Sequence, residues 1–126
     1  MALELRLDPA SNVPPFRQLI EHLRAAILSG ALQPGEQLPS AREMAAALSI
    51  NALTVARALN ELESAGLVHI RWGKGTFVKP LTTSQREGAR RGELGRAVRE
   101  FLVVANRLGF SPKDAAKAVR TAPRFS

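Results

Sequence analysis

Residues 38–78 read LPSAREMAAALSINALTVARALNELESAGLVHIRWGKGTFV, and the order of signals within them decides the fold. Ser40-Ala41-Arg42-Glu43 has the spacing of a capping box, with Ser40 as N-cap and Glu43 three residues on. The helix it opens runs through Met44, Ala45 and Leu48, and Ser49-Ile50-Asn51 interrupts it. Asn51 has the side chain to cap a second helix, over about 52–65. Val55, Ala58, Leu59 and Leu62 share one face of that helix, and Gly66 ends it in the left-handed conformation. Leu67-Val68-His69-Ile70 and Thr76-Phe77-Val78 then form two β-prone runs around a glycine-rich bend. Two helices three residues apart, followed by a hairpin, describe a winged helix-turn-helix.

Upstream, Pro14-Pro15 prevents an earlier helix and suits a first helical turn. Phe16, Leu19, Ile20, Leu23 and Ile27 make one buried stripe that ends at Gly30, before the turn Gln33-Pro34-Gly35-Glu36. Past Pro80 the chain turns to threonine, serine, arginine and glycine through about residue 93, and helical periodicity resumes only after that. Leu94, Val98, Phe101, Ala105 and Leu108 alternate three- and four-residue steps, the seam of helices that pair, and Leu102 broadens it. Ser111-Pro112-Lys113-Asp114 opens a last short helix. The expected fold is mostly α with a small β-hairpin: a winged helix-turn-helix over 1–80 and a short two-helix dimerisation segment over 81–126.

Composition narrows the function. The 126 residues suit one domain with a short appendix, and the net charge of +7 suits an anionic partner. That charge is uneven, with eight Lys/Arg against seven Asp/Glu in residues 1–80 and ten against four in 81–126. A binding site in the first part must therefore follow from where single cations point. The absence of cysteine excludes disulfides and thiolate metal sites and fits a reducing cytoplasm. MALELRLDPA at the start interleaves charges with leucines, unlike a secretory segment, and no apolar run reaches the roughly 20 residues of a membrane helix. His22 and His69 sit in separate elements, without paired carboxylates or a phosphate loop, so neither an enzyme nor a cofactor is expected.

The bend RWGKGTFV, residues 71–78, carries the chemistry. Gly73 and Gly75 permit positive φ and close backbone approach, while Lys74 and Arg71 bring charge, a combination suited to the phosphate ribbon of double-stranded DNA. On the helix from 52 to 65, a 100° step per residue turns Leu53, Arg57 and Asn60 away from the buried stripe. The Arg57 fork matches guanine, and Leu53 matches a thymine methyl or is a scattered surface leucine. Ser40, Asn51 and Thr54 carry polar side chains at helix N-termini, where phosphates bind. Arg42 sits where a cation opposes the helix dipole, which favours an external anion over an ion pair on the helix surface. Two other readings stay open: a winged domain that binds protein, and direct anion contact by Arg86, Arg90, Arg91, Arg96 and Arg99, which share no clean face.

With its opening PPFRQLIEHLRAAILSGALQPGEQLPS, the stretch resembles the GntR family of bacterial transcriptional regulators over residues 13–79. The shared pattern is LPS-x-R-E, then N-x-x-TV-x-R-AL-x-ELE-x-xGL, then G-x-GTFV. The resemblance implies that Arg42, Thr54, Arg57 and Gly73 touch operator DNA and that Gly75 shapes the wing. Ala52-Leu53 departs from the polar residues or proline often found there. Only about 46 residues follow Pro80, and REFLVVANRLGFSPKDAAKAV looks like the YtrA-type subgroup, whose two short helices dimerise. A homodimeric repressor reading an inverted repeat is the implied function. No membrane partner is expected, and no small-molecule effector either, because two helices per subunit hardly enclose the roughly 300 Å³ a drug-sized ligand needs.

Overall fold

The structure, a computed structural model, describes residues 5–123. Residues 1–4, which open the stretch read above as unlike a secretory segment, lie outside the described part. So do residues 124–126. Helix α1 (Pro15–Ser29) starts directly after Pro14, and its buried stripe is Leu19, Ile20, Leu23, Ile27 and Leu28. Phe16, expected in that stripe, is only half-buried at its edge. Helix α2 (Ala41–Leu48) begins with the capping box foreseen at Ser40 and Glu43, and Ser49 ends it at a φ of 56°. Helix α3 (Ala52–Ser64) buries Val55, Ala58, Leu59 and Leu62 against α1 and α2. It stops in a Schellman arrangement: Leu67 N–H donates to the Leu62 carbonyl at 3.0 Å, and Gly66 N–H to that of Glu63 at 2.9 Å. Gly66 takes the required positive φ of 80°.

Strands β1 (Val68–Arg71) and β2 (Gly75–Val78) pair antiparallel, with Val68 opposite Val78 and Arg71 opposite Gly75. The hairpin does not stand alone. Leu38 N–H donates to the Thr76 carbonyl at 2.8 Å, and Val78 N–H donates to that of Glu36 at 2.9 Å. The segment before α2 therefore lines the free edge of β2, and Gln37 bridges Phe77. On the other side Glu63 of α3 accepts from Ile70 N–H at 2.7 Å. A two-stranded hairpin is marginal in water, and these attachments to both neighbours make it part of the domain.

Contacts divide the described chain into two compact units, one up to Glu87 and one from Gly88. Helix α4 (Thr83–Arg107) corrects the expectation that helix resumes only near residue 94. Its start is a capping box that the sequence reading passed over. Thr82 Oγ1 accepts from Gln85 N–H at 3.0 Å, and Gln85 Oε1 accepts from Thr82 N–H at 2.9 Å. Arginines and glutamates, good helix formers, then carry the helix through Gly88, Gly92 and Gly95. Helix α5 (Pro112–Thr121) starts from a second capping box, Ser111 with Asp114.

Two leucines of α3 provide a test of this packing. Leu62 is fully buried, whereas Leu53 is 72% exposed. Leu62→Ala should cost about 2–5 kcal/mol of stability and Leu53→Ala within about 0.5 kcal/mol, measured by denaturant unfolding at one protein concentration.

Candidate nucleic-acid interface

The buried stripe of α3 fixes what its other face presents. Leu53, Arg57 and Asn60 all lie exposed there, as the 100° step requires. Asn60 and Ala56 flank the side nearer the hairpin, where they line a groove of about 520 Å³ together with Ser40, Arg71, Trp72 and Lys74. Arg57 leans the other way. Its guanidinium lies over the Phe16 ring, 4.5 Å from the centroid. This contact between the starts of α1 and the middle of α3 holds a long side chain in one place, so less rotamer freedom is lost when it meets a target. Phe16 is thus a positioning residue that the stripe reading assigned to the core.

The helix starts are polar and half free. The Ser40 hydroxyl accepts from Glu43 N–H at 3.0 Å, which leaves its own proton to donate. Asn51 Oδ1 caps α3 by accepting from Leu53 N–H at 2.7 Å, and its amide N–H groups remain outward. Thr54 is half-buried on the α1 side of the first turn. Arg42 is exposed and forms no ion pair among the described residues.

At the wing, Lys74 N–H donates to the Arg71 carbonyl at 3.0 Å and closes a four-residue turn. Gly73 occupies its third place at a φ of 73°, which suits glycine. Gly75 is at 127°, and a Cβ there would collide with the Gln37 amide. The same amide donates to the Lys74 carbonyl at 3.1 Å, so Gln37 braces the tip from beneath. Neither the brace nor its reason was visible in sequence, since the partners lie 37 residues apart. Arg71 rests over Phe77 at 5.8 Å, and Lys74 is exposed. The hairpin tip is clear of the interior.

The C-terminal residues fare unequally. Leu94, Val98, Phe101 and Leu108 are exposed and Leu102 is half-buried. Ala105 departs from the expected seam: at 6% exposure it is covered within its own unit, as is Ala115 of α5. Phe101, Val104, Leu108 and Phe110 border an open recess of about 510 Å³ beside these two alanines. Two helices do frame a space of ligand size, though an open one, contrary to the volume argument made from length. Among the described residues no helix is long and apolar enough to cross a membrane.

Comparison with known proteins gives the same outline. Residues 15–78 match the family described as bacterial regulatory proteins, gntR family. The HTH-type transcriptional regulator Rv1152 of Mycobacterium tuberculosis is 35% identical over 119 residues, 94% of this chain and 93% of that protein. The HTH-type transcriptional repressor YtrA of Bacillus subtilis is 36% identical over 74 residues, 59% of this chain and 57% of that one. Among solved structures, AraR(DBD) in complex with operator ORX1 superposes with a TM-score of 0.54 at 28% identity, covering 59% of this chain and 94% of that one.

The capping box that orients the start of α2 is titratable. Ser40 N–H, donating to Glu43 Oε1 at 3.0 Å, and then the Ser40 hydroxyl hold the Glu43 carboxyl below its ordinary value. A carboxyl lowered by folding adds stability above its unfolded value, and that stability disappears as pH falls through the folded one. Glu43→Gln keeps an acceptor for the cap but cannot titrate. The difference in denaturation midpoint between wild type and Glu43→Gln should therefore shrink as pH drops through the carboxylate range.

Proposed function

Because this chain belongs to the gntR family of bacterial transcriptional regulators, we propose that it works as a homodimeric repressor reading an inverted-repeat operator, with one α3 in each half-site. The observation that carries this is the shared groove. Ser40 at the start of α2, Asn60 on α3 and Lys74 on the wing all border it, so a helix and a hairpin present polar and cationic groups side by side. A duplex has a matching form, a groove for the helix and a phosphate ridge beside it for the hairpin.

In this reading Arg57 and Leu53 meet base edges, while Ser40, Arg42, Asn51 and Thr54 hold phosphates around the helix starts. Arg71, Gly73, Lys74 and Gly75 bring the wing onto the flanking backbone. Residues 1–80 serve as the DNA-binding domain and 81–126 as the dimerisation segment. Exposed Leu94, Val98, Phe101 and Leu108, with Leu102 beside them, offer the apolar face for a second copy. An unpaired face of this extent on a small chain favours association. The likeness to YtrA, named a repressor, supports the direction of regulation.

The test is selection of bound duplexes from a random pool, followed by salt titration. Arg57→Ala should erase sequence preference. Lys74→Ala should weaken binding to all sequences and lower the slope of log affinity against log salt by about 0.9, the share of one phosphate. Sedimentation should give twice the 13.6 kDa of one chain, and Leu108→Glu should return it to a single chain. A salt-independent affinity, or a wild-type chain that sediments singly at micromolar concentration, would overturn the proposal.

A further inference from the structure

Trp72 is 96% exposed, the most exposed of the large apolar side chains among the described residues. A lone exposed apolar residue is ordinary on a protein surface. This one has an unusual setting. It occupies the second place of the wing turn closed by Lys74 N–H and the Arg71 carbonyl, next to Gly73 at positive φ. Gln37 holds that turn from below through the Lys74 carbonyl. The indole is therefore held outward by a braced tip, with cations one residue before and two after it. It also borders the groove that Ala56 and Asn60 of α3 line.

A partner surface for this tip must be anionic, offer flat apolar area, and lie beside something that α3 can enter. A lipid headgroup layer has the charge but no groove for a helix. A duplex has all three, because deoxyribose faces lie between its phosphates. We infer that Trp72 is a DNA-contacting residue, whose indole lies against the deoxyribose wall next to the groove entered by α3 and whose Nε1–H donates to a phosphate oxygen. The inference rests on the DNA-binding reading above. Covering an indole removes roughly 150–250 Å² of surface from water, and it displaces no counterion. Trp72 then supplies a share of affinity that salt does not weaken, beside the salt-sensitive share of Lys74.

The chain has one tryptophan and no tyrosine, so its emission reports on this site alone. The full-length protein is titrated with a dye-labelled duplex recovered by selection from a random pool. Anisotropy of the dye follows binding, and acrylamide quenching follows access to the indole. At saturation, acrylamide quenching should fall several-fold. Trp72→Ala should weaken binding by about tenfold, the scale of losing one aromatic stacking contact, with the salt slope unchanged. Lys74→Ala should lower that slope, and Trp72→Phe should keep most of the affinity. If anisotropy reports binding while the indole stays open to acrylamide, or Trp72→Ala binds as wild type does, the inference is wrong and the DNA-binding reading stands. A loss in Trp72→Ala accompanied by a flattened salt slope would assign the effect to a displaced Lys74 and also overturn it. If no duplex raises the anisotropy of wild type, the DNA-binding reading fails and takes this inference with it.

Discussion

The burial of one face of α3 is the constraint on which the rest of the winged unit depends. Val55, Ala58, Leu59 and Leu62 are taken out of water against α1, α2 and β1, and that fixes the rotation of the helix about its own axis. At 100° per residue, no freedom remains in where Leu53, Arg57 and Asn60 point. Turning the helix by one residue would bury Arg57 and expose Leu62, at a cost far beyond a domain's marginal stability. The hairpin inherits the same frame, because Glu63 near the end of α3 accepts from Ile70 N–H at 2.7 Å. Helix and wing are thereby positioned by one apolar core and one part-buried hydrogen bond.

What could be read from the sequence follows from how far each signal reaches along the chain. The caps at Ser40, Asn51 and Ser111, the stripe of α3 and the stop at Gly66 are local, each complete within a few residues, and the structure has all of them. The capping box of Thr82 and Gln85 is equally local but was masked by surrounding glycine and serine, so helix α4 starts well before the expected residue. Long-range pairs left no trace in the pattern. Gln37 under the wing tip, Arg57 over Phe16 and the pairing of Glu36–Leu38 with β2 each join segments dozens of residues apart. Phe16 and Ala105 show the cost most clearly. Periodicity says which residues share a face but not which neighbour covers that face, so one counted as core is a platform for a cation and one counted as seam is internal.

The near-balance of charge in residues 1–80 raises the question of how such a unit attracts an anion. The answer lies in how the two signs are used. Glu36 accepts from Gln33 N–H, Glu43 from Ser40 N–H, and Glu63 from Ile70 N–H. Glu61 faces Arg17 at 3.3 Å. Each of these carboxylates is bound to a group within the unit, where its charge is partly answered by a backbone dipole or a cation. Arg42 and Lys74 have no such internal partner, and Arg57 and Arg71 rest on aromatic rings that leave their charge in place. Formal charges that nearly cancel in the count therefore do not cancel in space. The acids stabilise turns, caps and the helix–wing joint, and the field that reaches outward from α2, α3 and the hairpin is that of the cations.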